Sequence, residues 1–317
     1  MKKKVVGLVD SVHHSCRKLL EELGYEVQDF SSFDEKKCRL AIHDVEAIIV
    51  RSRFPFNATF LQENNHLKCI GRWGSGLENI DLDAAEKLGI SVVNAPEGNR
   101  QAVAEHALLL LLSMMRHMPK FSDEVRKGIW KREENRGFEL RGKKVGIIGY
   151  GNTGSAFARL LGGFNIEVLA YDAYRTNFSD AHIREVALSE ILENADVISL
   201  HIPLTKETKG IADADFFSKI KRPVYFINTA RGPLIDPEAL LQALKKGSVI
   251  RAALDVLPFE KSSFEQLDQH PLLETFISHP DIVVSPHIAG WTHEANDKTA
   301  DWLIHRMHDI LCIPDVT

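Results

Sequence analysis

The strongest local sequence signal is KKVGIIGYGNTGSAFARLL, residues 143–161. An apolar segment typical of a buried β-strand ends in Gly149-x-Gly151-x-x-Gly154 and continues directly into a helical pattern. The first glycine allows a tight turn, the second lets a pyrophosphate approach the backbone, and the third lets helix and strand pack closely. The following helix offers its first N–H groups to phosphates. The stretch therefore predicts a dinucleotide site on a strand–turn–helix unit.

A carboxylate closes the next apolar strand. Asp172 lies 18 residues after Gly154, where it can accept both ribose hydroxyls of NAD and repel the 2′-phosphate of NADP. Arg175, three residues further on, is an alternative contact for NADP. We expect NAD rather than NADP. An S-adenosylmethionine methyltransferase can also carry a glycine-rich turn after its first strand, so this region alone leaves both chemistries open.

Short apolar runs alternate with helical patterns along most of the chain. This alternation predicts βαβ units, whose parallel sheets are covered by helices on both faces, and hence an α/β fold. The predicted strands are residues 5–9, 47–51, 67–70, 91–94, 144–149, 167–171, 196–200, 224–228, 249–254 and 282–285. The predicted helices include residues 15–23, 82–88, 153–163 and 237–246.

One predicted helix, residues 99–118, is apolar on nearly every side in its middle. We expect this helix to end just before Pro119, because proline disfavours helical geometry in the preceding residue. A helix of this composition is typical of one buried all round. It is either a core helix or a helix shared between subunits or domains.

The overall composition excludes several classes of protein. The 317 residues suffice for about two domains of roughly 150 residues each. With 44% hydrophobic and 26% charged residues, the chain is typical of a globular protein rather than a disordered or collagen-like one. The net charge of −5 provides no basic excess for binding a phosphate backbone, so we expect no nucleic-acid partner.

Neither a membrane nor an exported protein is indicated. The most apolar stretch, residues 107–115, is about half as long as a membrane span, and the apolar run near the start is too short for a signal peptide. The cysteines (Cys16, Cys38, Cys69 and Cys312) lack the spacing of a zinc site or redox pair. We therefore expect reduced, mostly buried thiols, no metal and a cytoplasmic location.

Three residues suited to one reaction follow later predicted strands: Arg231, Glu260 and His287. In a parallel sheet, ligands bind beyond the carboxyl ends of the strands. A guanidinium can hold a carboxylate in a bidentate fork, and an imidazole can exchange a proton near neutral pH. A carboxylate beside the imidazole can orient it and favour its protonated form. This combination predicts hydride transfer on a 2-hydroxy or 2-keto acid, and a methyltransferase would not require it.

The chain resembles the D-2-hydroxyacid dehydrogenases over nearly its whole length. The resemblance rests on several ordered motifs at matching spacing, which together are specific. They are GRWGSGLENIDLDAA (71–85), NAPEGNRQAVAEHALLLLL (94–112), GIIGYGNTG (146–154), NTARGPLID (228–236), AALDVLPFE (252–260) and SPHIAGWT (285–292).

The resemblance implies a site as well as a family. Arg231, Glu260 and His287 would form the catalytic triad, and the backbone N–H groups of Ser75 and Gly76 would hold the substrate carboxylate together with Arg231. Asp255 would bind the nicotinamide carboxamide. The implied cofactor-binding residues are Gly149, Gly151, Asn152, Thr153, Gly154, Asp172, Ile202, Thr229, Ala230, Asp255, His287 and Gly290.

The resemblance also implies two doubly wound parallel-sheet domains, with a Rossmann NAD domain inserted into a flavodoxin-like substrate domain. Residues 98–290 would form the NAD domain, and residues 1–97 and 291–317 the discontinuous substrate domain. The helix at 99–118 would contribute to a homodimer. The terminal helix, residues 293–311, would return to the substrate domain, and closure of the domains would exclude water from the site.

The substrate is predicted from Arg51-Ser-Arg53, which follows an apolar strand. Two arginines there could bind a substrate phosphate, and the segment resembles some 3-phosphoglycerate dehydrogenases, which form phosphohydroxypyruvate for serine synthesis. The alternatives are a glyoxylate or hydroxypyruvate reductase and an erythronate-4-phosphate dehydrogenase. Since the chain ends soon after its last predicted helix, we expect no serine feedback through an additional regulatory domain.

Three departures from the family pattern bear on the site. Asn152-Thr153 stands where many members have Arg-Ile, Lys261 replaces a common proline, and Trp73 is bulkier than the usual residue. A different class also remains open, because some relatives bind NAD and act as corepressors or scaffolds. The presence of all three residues of the triad favours an enzyme.

Overall fold

A computed structural model describes residues 3–261 and 266–312. The chain forms two compact units. The terminal unit consists of Met1–Arg100, Lys261–Gln266 and Trp291–Thr317, and the central unit consists of Gln101–Glu260 and Leu267–Gly290. Residues 1–2 and 313–317 of the predicted substrate domain lie outside the described residues.

The described strands are β1 (Val5–Leu8), β2 (Glu26–Asp29), β3 (Ala47–Val50), β4 (Cys69–Arg72), β5 (Ser91–Asn94), β6 (Lys144–Ile148), β7 (Glu167–Tyr171), β8 (Ile183–Glu185), β9 (Val197–Leu200), β10 (Val224–Asn228), β11 (Val249–Leu254) and β12 (Ile282–Val284). The described helices are α1 (His14–Glu22), α2 (Glu35–Ala41), α3 (Ala58–Glu63), α4 (Leu82–Lys87), α5 (Pro96–Met115), α6 (Met118–Arg126), α7 (Asn152–Leu161), α8 (Leu188–Asn194), α9 (Ala214–Ser218), α10 (Pro237–Lys246), α11 (Leu273–Ser278) and α12 (His293–Leu311). Short 3₁₀ turns lie at Ile42–Asp44, Gly162–Phe164 and Gly232–Leu234.

The terminal unit is built on a parallel sheet whose described strands have the order β2-β1-β3-β4-β5. This is the flavodoxin-like order of a doubly wound sheet. Strand β3 is buried on both faces: Ile48 packs with one apolar cluster, and Ile49 packs with another that includes Leu303 and Met307 of α12. The continuous apolar sequence AIIV is therefore explained by helices on both sides of the sheet.

The central unit contains, within its described residues, seven parallel strands in the order β12-β11-β10-β9-β6-β7-β8. Counted from β6, this is the Rossmann order with one additional strand. The strands that follow β6 in sequence are added first on one side of it (β7, β8) and then on the other (β9 to β12), so the strand order reverses at β6, the strand that Gly149 follows. The predicted fold class, two doubly wound parallel sheets, is confirmed.

Several predicted elements needed correction. Helix α5 ends at Met115 rather than residue 118, because His117 adopts a left-handed backbone with φ of 58°. Pro119 lies in the first turn of α6, where a missing N–H does no harm. Leu109 of α5 is 53% exposed, so the helix is not buried all round.

Two strands escaped prediction, β2 and β8. Both lie at sheet edges, and their sequences, EVQD and IRE, are short and mostly polar. The pattern of a buried strand is therefore absent from both.

The helices and the cysteines bear on the predicted class of protein. Among the described residues, no helix is both long and apolar enough to span a membrane. The four cysteines form no disulfide, and Cys16, Cys38 and Cys69 are buried while Cys312 is exposed.

Candidate active site

The glycine turn after β6 is fixed by close packing. Gly149 has a φ of 97°, and a Cβ there would lie 2.5 Å from the carbonyl oxygen of His201. A Cβ on Gly154 would lie 1.9 Å from the carbonyl oxygen of Gly149. At Gly151, a Cβ would meet no described atom within 4 Å. Two glycines are thus required by the fold, and the third leaves the backbone open to a ligand, as the motif predicts.

Helix α7 begins at this turn, and no side chain caps its N-terminus. The N–H groups of Asn152 and Thr153 therefore lie where an anion can bind them. The Thr153 hydroxyl lies 3.2 Å from Nδ1 of His201, whose Nε2 lies 2.9 Å from the Ser199 hydroxyl. Burial lowers the pKa of His201 to about 3, so the ring is neutral at physiological pH.

Asp172 follows β7 beside the same turn. One carboxylate oxygen accepts the N–H of Tyr150 at 2.8 Å, and the other accepts those of Tyr174 and Arg175 at 2.9 and 3.0 Å. The Arg175 guanidinium donates to the Tyr150 carbonyl at 2.6 Å. A carboxylate has about four acceptor positions, so these three bonds orient Asp172 without exhausting it.

The loop after β10 holds an unsatisfied buried hydroxyl. Oγ1 of Thr229 is buried and has no hydrogen-bond partner among residues 3–261 and 266–312. Asn228, fully buried, holds the loop by accepting the N–H of Ala230 at 3.0 Å and donating to the Arg231 carbonyl at 2.8 Å. Because an unpaired buried hydroxyl is costly, a ligand group at this edge would stabilise it.

These features fit a bound dinucleotide. The open turn at Gly151 and the uncapped start of α7 suit a pyrophosphate, Asp172 suits a ribose, and Thr229 offers an unused hydroxyl at the same strand edge. Ile202 and Gly290, two further predicted contacts, are half-buried in the loops after β9 and β12.

The structure brings Glu260 and His287 together. Nδ1 of His287 lies 2.7 Å from one carboxylate oxygen of Glu260, and the other oxygen accepts the N–H of Leu257 at 2.6 Å. His287 has a φ of 54°, a left-handed conformation that is uncommon for a residue other than glycine. Such a backbone persists where surrounding contacts hold it.

Arg231 lies on the loop between β10 and α10, next to the turn that carries Glu260. The two loops are in close contact, since a Cβ on Gly232 would lie 2.0 Å from the carbonyl oxygen of Leu257. The Arg231 guanidinium donates to the carbonyl of Ala230 at 2.7 Å, which folds the side chain back over its own loop.

Asp255, predicted to contact the cofactor, is buried and hydrogen-bonded within the protein. Its side chain is 1% exposed, and its oxygens accept the Ser285 hydroxyl at 2.6 Å and the N–H groups of Ile288 and Ala289 at 3.0 and 2.8 Å. Nε2 of His106 lies 3.4 Å away. Asp255 therefore organises the loop that carries His287, and the prediction of a carboxamide contact remains untested.

These bonds shift the ionisation of Asp255. Burial would raise its pKa, but the hydrogen bonds from His106, Ser285 and the loop N–H groups together hold it below the ordinary value. The carboxylate is thus ionised at neutral pH despite its burial.

In the terminal unit, Arg51 and Arg53 lie in the loop that follows β3. The Arg53 guanidinium donates to the carbonyls of Val9 at 3.0 Å, Phe30 at 3.1 Å and Phe33. Three of its five donors thus brace the loops of its own unit, which weakens its predicted role in phosphate binding. The Arg51 guanidinium lies 4.6 Å from the ring of Trp291.

Ser75 and Gly76 follow β4 in a short loop. No described atom accepts a hydrogen bond from either backbone N–H. The Ser75 side chain donates to Asn99 at 2.9 Å, and its carbonyl accepts from Asn94 at 2.5 Å. Trp73, in the same loop, packs edge-on against Trp291 with the ring centroids 5.6 Å apart.

Comparison with known proteins identifies the family. Residues 108–289 match the model of the D-isomer specific 2-hydroxyacid dehydrogenase NAD-binding domain, which is more than half of the chain. The chain belongs to this family. Its central unit therefore contains a NAD-binding domain, and the predicted family and cofactor are confirmed.

Several curated relatives are named D-3-phosphoglycerate dehydrogenase. The chain is 39% identical over 274 residues to the D-3-phosphoglycerate dehydrogenase of Archaeoglobus fulgidus, covering 86% of this chain and 50% of that protein. It is 35% identical over 294 residues to that of Haemophilus influenzae, covering 92% and 70%. The chain spans about half the length of the Archaeoglobus fulgidus relative.

Solved structures match nearly the whole length of the chain. The D-lactate dehydrogenase of Aquifex aeolicus, complexed with NAD and lactic acid, superposes with a TM-score of 0.85 at 26% identity, covering 97% of this chain and 95% of that one. An acyclic imino acid reductase complexed with NADPH and D-Arg gives 0.84 at 26% identity, covering 97% of both chains. Cofactor preference must therefore be argued from individual residues.

Several of the contacts described above escaped the sequence analysis. His106, His201 and Asn228 contact loops that carry predicted site residues. A lone histidine has no sequence signal that would have singled out His106 or His201. Asn228 could have been found from its position, since it directly precedes the loop with Thr229 and Arg231.

Proposed function

We propose that the protein catalyses NAD-dependent hydride transfer between a D-2-hydroxy acid and the corresponding 2-keto acid. The observation that carries this proposal is the contact between His287 and Glu260 at the strand edge of a NAD-binding domain. The substrate that we propose is 3-phospho-D-glycerate, with 3-phosphohydroxypyruvate as its product. The names of the curated relatives support this choice.

His287 is the proposed general acid and base. A carboxylate accepts hydrogen bonds and cannot donate them, so in the proposed mechanism Nδ1 of His287 donates its proton to Glu260. Nε2 is then the ring atom that takes the hydroxyl proton during oxidation and returns it during reduction. Glu260 also stabilises the imidazolium formed when Nε2 takes the proton.

The same reaction needs a hydride acceptor and residues that bind the substrate. When bound, NAD accepts the hydride that leaves C2 as the hydroxyl becomes a carbonyl. Arg231 would bind the substrate carboxylate through a planar fork and polarise the adjacent C2 oxygen. The N–H groups of Ser75 and Gly76 are proposed as further donors to the carboxylate.

A phosphate on the substrate would be bound through Arg51. Its backbone N–H donates to the partly buried carboxylate of Asp10 at 2.5 Å, and its guanidinium lies 4.6 Å from the ring of Trp291. The strand-end loop is thereby held at both backbone and side chain. Arg53 would support this loop rather than bind the phosphate, since its guanidinium is engaged by backbone carbonyls.

We also propose a homodimer in the cytoplasm. The stretch from α5 through residue 138 exposes large apolar side chains in the monomer: Leu109, Val125, Trp130 and Phe138. A surface of this kind is typical of a protein–protein interface. Sedimentation of the purified protein would show a dimer, and a monomer at micromolar concentration would reject this part.

A substrate panel tests the proposed reaction. The purified chain is assayed for NADH consumption with phosphohydroxypyruvate, hydroxypyruvate, glyoxylate and pyruvate, and for NADH formation with 3-phospho-D-glycerate. Highest kcat/KM for the phosphorylated pair supports the proposal. A higher kcat/KM for hydroxypyruvate or glyoxylate would reject 3-phospho-D-glycerate as the substrate in favour of that acid. No turnover with any acid would reject an enzymatic function.

A further inference from the structure

A histidine outside the triad contacts the loop that carries His287. His106, on α5 of the central unit, places Nε2 2.9 Å from Oγ of Ser285 and 3.4 Å from a carboxylate oxygen of Asp255. Its side chain is 14% exposed. Neither the glycine turn nor the proposed proton transfer uses it.

The direction of these hydrogen bonds follows from the number of protons available. The Ser285 hydroxyl has one proton, which it donates to Asp255 at 2.6 Å. Ser285 Oγ must therefore accept in its contact with His106, so Nε2 of His106 carries a proton. The chain of donors runs from His106 to Ser285 to Asp255.

Asp255 in turn forms hydrogen bonds with the loop that contains His287. Its carboxylate accepts the N–H groups of Ile288 and Ala289, and its backbone carbonyl accepts the N–H of His287 at 2.8 Å. These bonds lie on both sides of the left-handed residue. The buried Asp255 carboxylate and backbone carbonyl thus stabilise the loop conformation in which the His287 ring contacts Glu260.

We propose that His106 is a positioning residue, which orients Ser285 and Asp255 and so keeps His287 in the geometry for proton transfer. The inference rests on the proposed role of His287. Helix α5, which exposes the apolar side chain of Leu109, would then also stabilise the loop that contains His287.

The test compares three variants. His106→Leu removes the donor, His106→Gln retains an N–H at a similar reach, and Glu105→Gln changes the exposed neighbour on the same helix as a control. We expect His106→Leu to lower kcat by about 10- to 100-fold, because small displacements of a reacting group have effects of this size. His106→Gln should stay within about 3-fold of the wild type, as expected when a hydrogen bond is retained.

A pH profile separates positioning from loss of folded protein. Among the described residues, the titratable groups near Asp255 include His106 from α5 and His287, which is paired with Glu260. Hydrogen bonds hold the pKa of Asp255 low, so losing a donor raises it, and Asp255 becomes protonated at a higher pH. The acid limb of kcat should therefore move to higher pH in His106→Leu only. A lower active fraction would scale kcat equally at every pH.

The His287 ring signal gives a readout that does not need turnover. In protein with ¹³C-labelled histidine, this signal is assigned by its loss in His287→Gln, and we expect it to shift or broaden in His106→Leu but not in Glu105→Gln. An unchanged signal together with unchanged kcat overturns the inference. If the wild type lacks turnover on the whole panel, the proposed function fails, and the His287 signal alone then decides the inference.

Discussion

One carboxylate oxygen of Glu260 lies 2.7 Å from Nδ1 of His287, while the other is held by the N–H of Leu257. The carboxylate is therefore fixed at both ends and sets both the orientation and the tautomer of the imidazole. The proposed proton transfer at Nε2 depends on this arrangement.

Glu260→Gln should lower kcat by at least about 10²-fold, the usual contribution of general acid–base catalysis. The amide can present N–H₂ to Nδ1, which favours the tautomer with its proton on Nε2 and leaves no base there during oxidation. Steady-state kinetics in both directions measure the effect. Near wild-type kcat would mean that Glu260 does not set the tautomer.

The glycine turn gives a matched pair of variants. Gly154→Ala should lower the melting temperature, because the added Cβ would lie 1.9 Å from the carbonyl oxygen of Gly149. Gly151→Ala meets no described atom within 4 Å and should fold normally, but its Cβ would occupy the space proposed for the pyrophosphate. Melting temperatures and NADH titrations measure the two effects, and equal NADH affinity in Gly151→Ala and wild type would contradict the placement.

Asp172 should determine the cofactor preference. Asp172→Ala removes a carboxylate that suits ribose hydroxyls and repels a 2′-phosphate, so the ratio of kcat/KM for NADH over NADPH should fall by about 10-fold or more. Its bonds to three N–H groups also hold the turn, so melting temperature is the control. An unchanged ratio in a folded variant would contradict the assignment.

Arg51 and Arg53 should have separable roles. Arg53→Ala should lower the free energy of unfolding by roughly 1.5–3 kcal/mol, the range for hydrogen bonds to a charged group. Arg51→Ala should raise KM for phosphohydroxypyruvate far more than for hydroxypyruvate. Chemical denaturation and parallel kinetics check both, and an equal change in the two KM values would reject the phosphate contact.

His201 should make stability depend on pH. Its pKa is about 3 in the folded protein, and its ordinary value is 6.5, so the unfolded chain binds its proton first as pH falls. Stability should therefore decrease below pH 6.5, by up to about 2 kcal/mol at pH 5 from this residue. Denaturation at a series of pH values in wild type and His201→Asn measures it. An equal slope in both proteins would show that His201 does not contribute.

Much of the architecture could be predicted because local patterns specify it. The apolar run before Gly149 is recognised within a few residues, and β7, β10, β11 and α10 have the predicted bounds. The edge strands β2 and β8 lack such a pattern, since their polar residues face solvent. Helix α5 ended early because backbone geometry at His117, rather than Pro119, stops it.

The site was less predictable where its contacts span long sequence separations. His106 and Ser285 are 179 positions apart, so no local pattern connects them. Arg53 looked like a ligand because its partners are backbone carbonyls, which have no sequence signature. Motifs therefore identified residues near the chemistry but not those that hold them in place.

The role of His287 in proton transfer can be measured as the rate of NADH consumption with phosphohydroxypyruvate in wild type, His287→Ala and the control His305→Ala, which alters an exposed histidine on α12. The wild type and control should turn over alike, and His287→Ala should be slower by at least about 10²-fold while still binding NADH. Comparable rates in all three proteins would contradict the account.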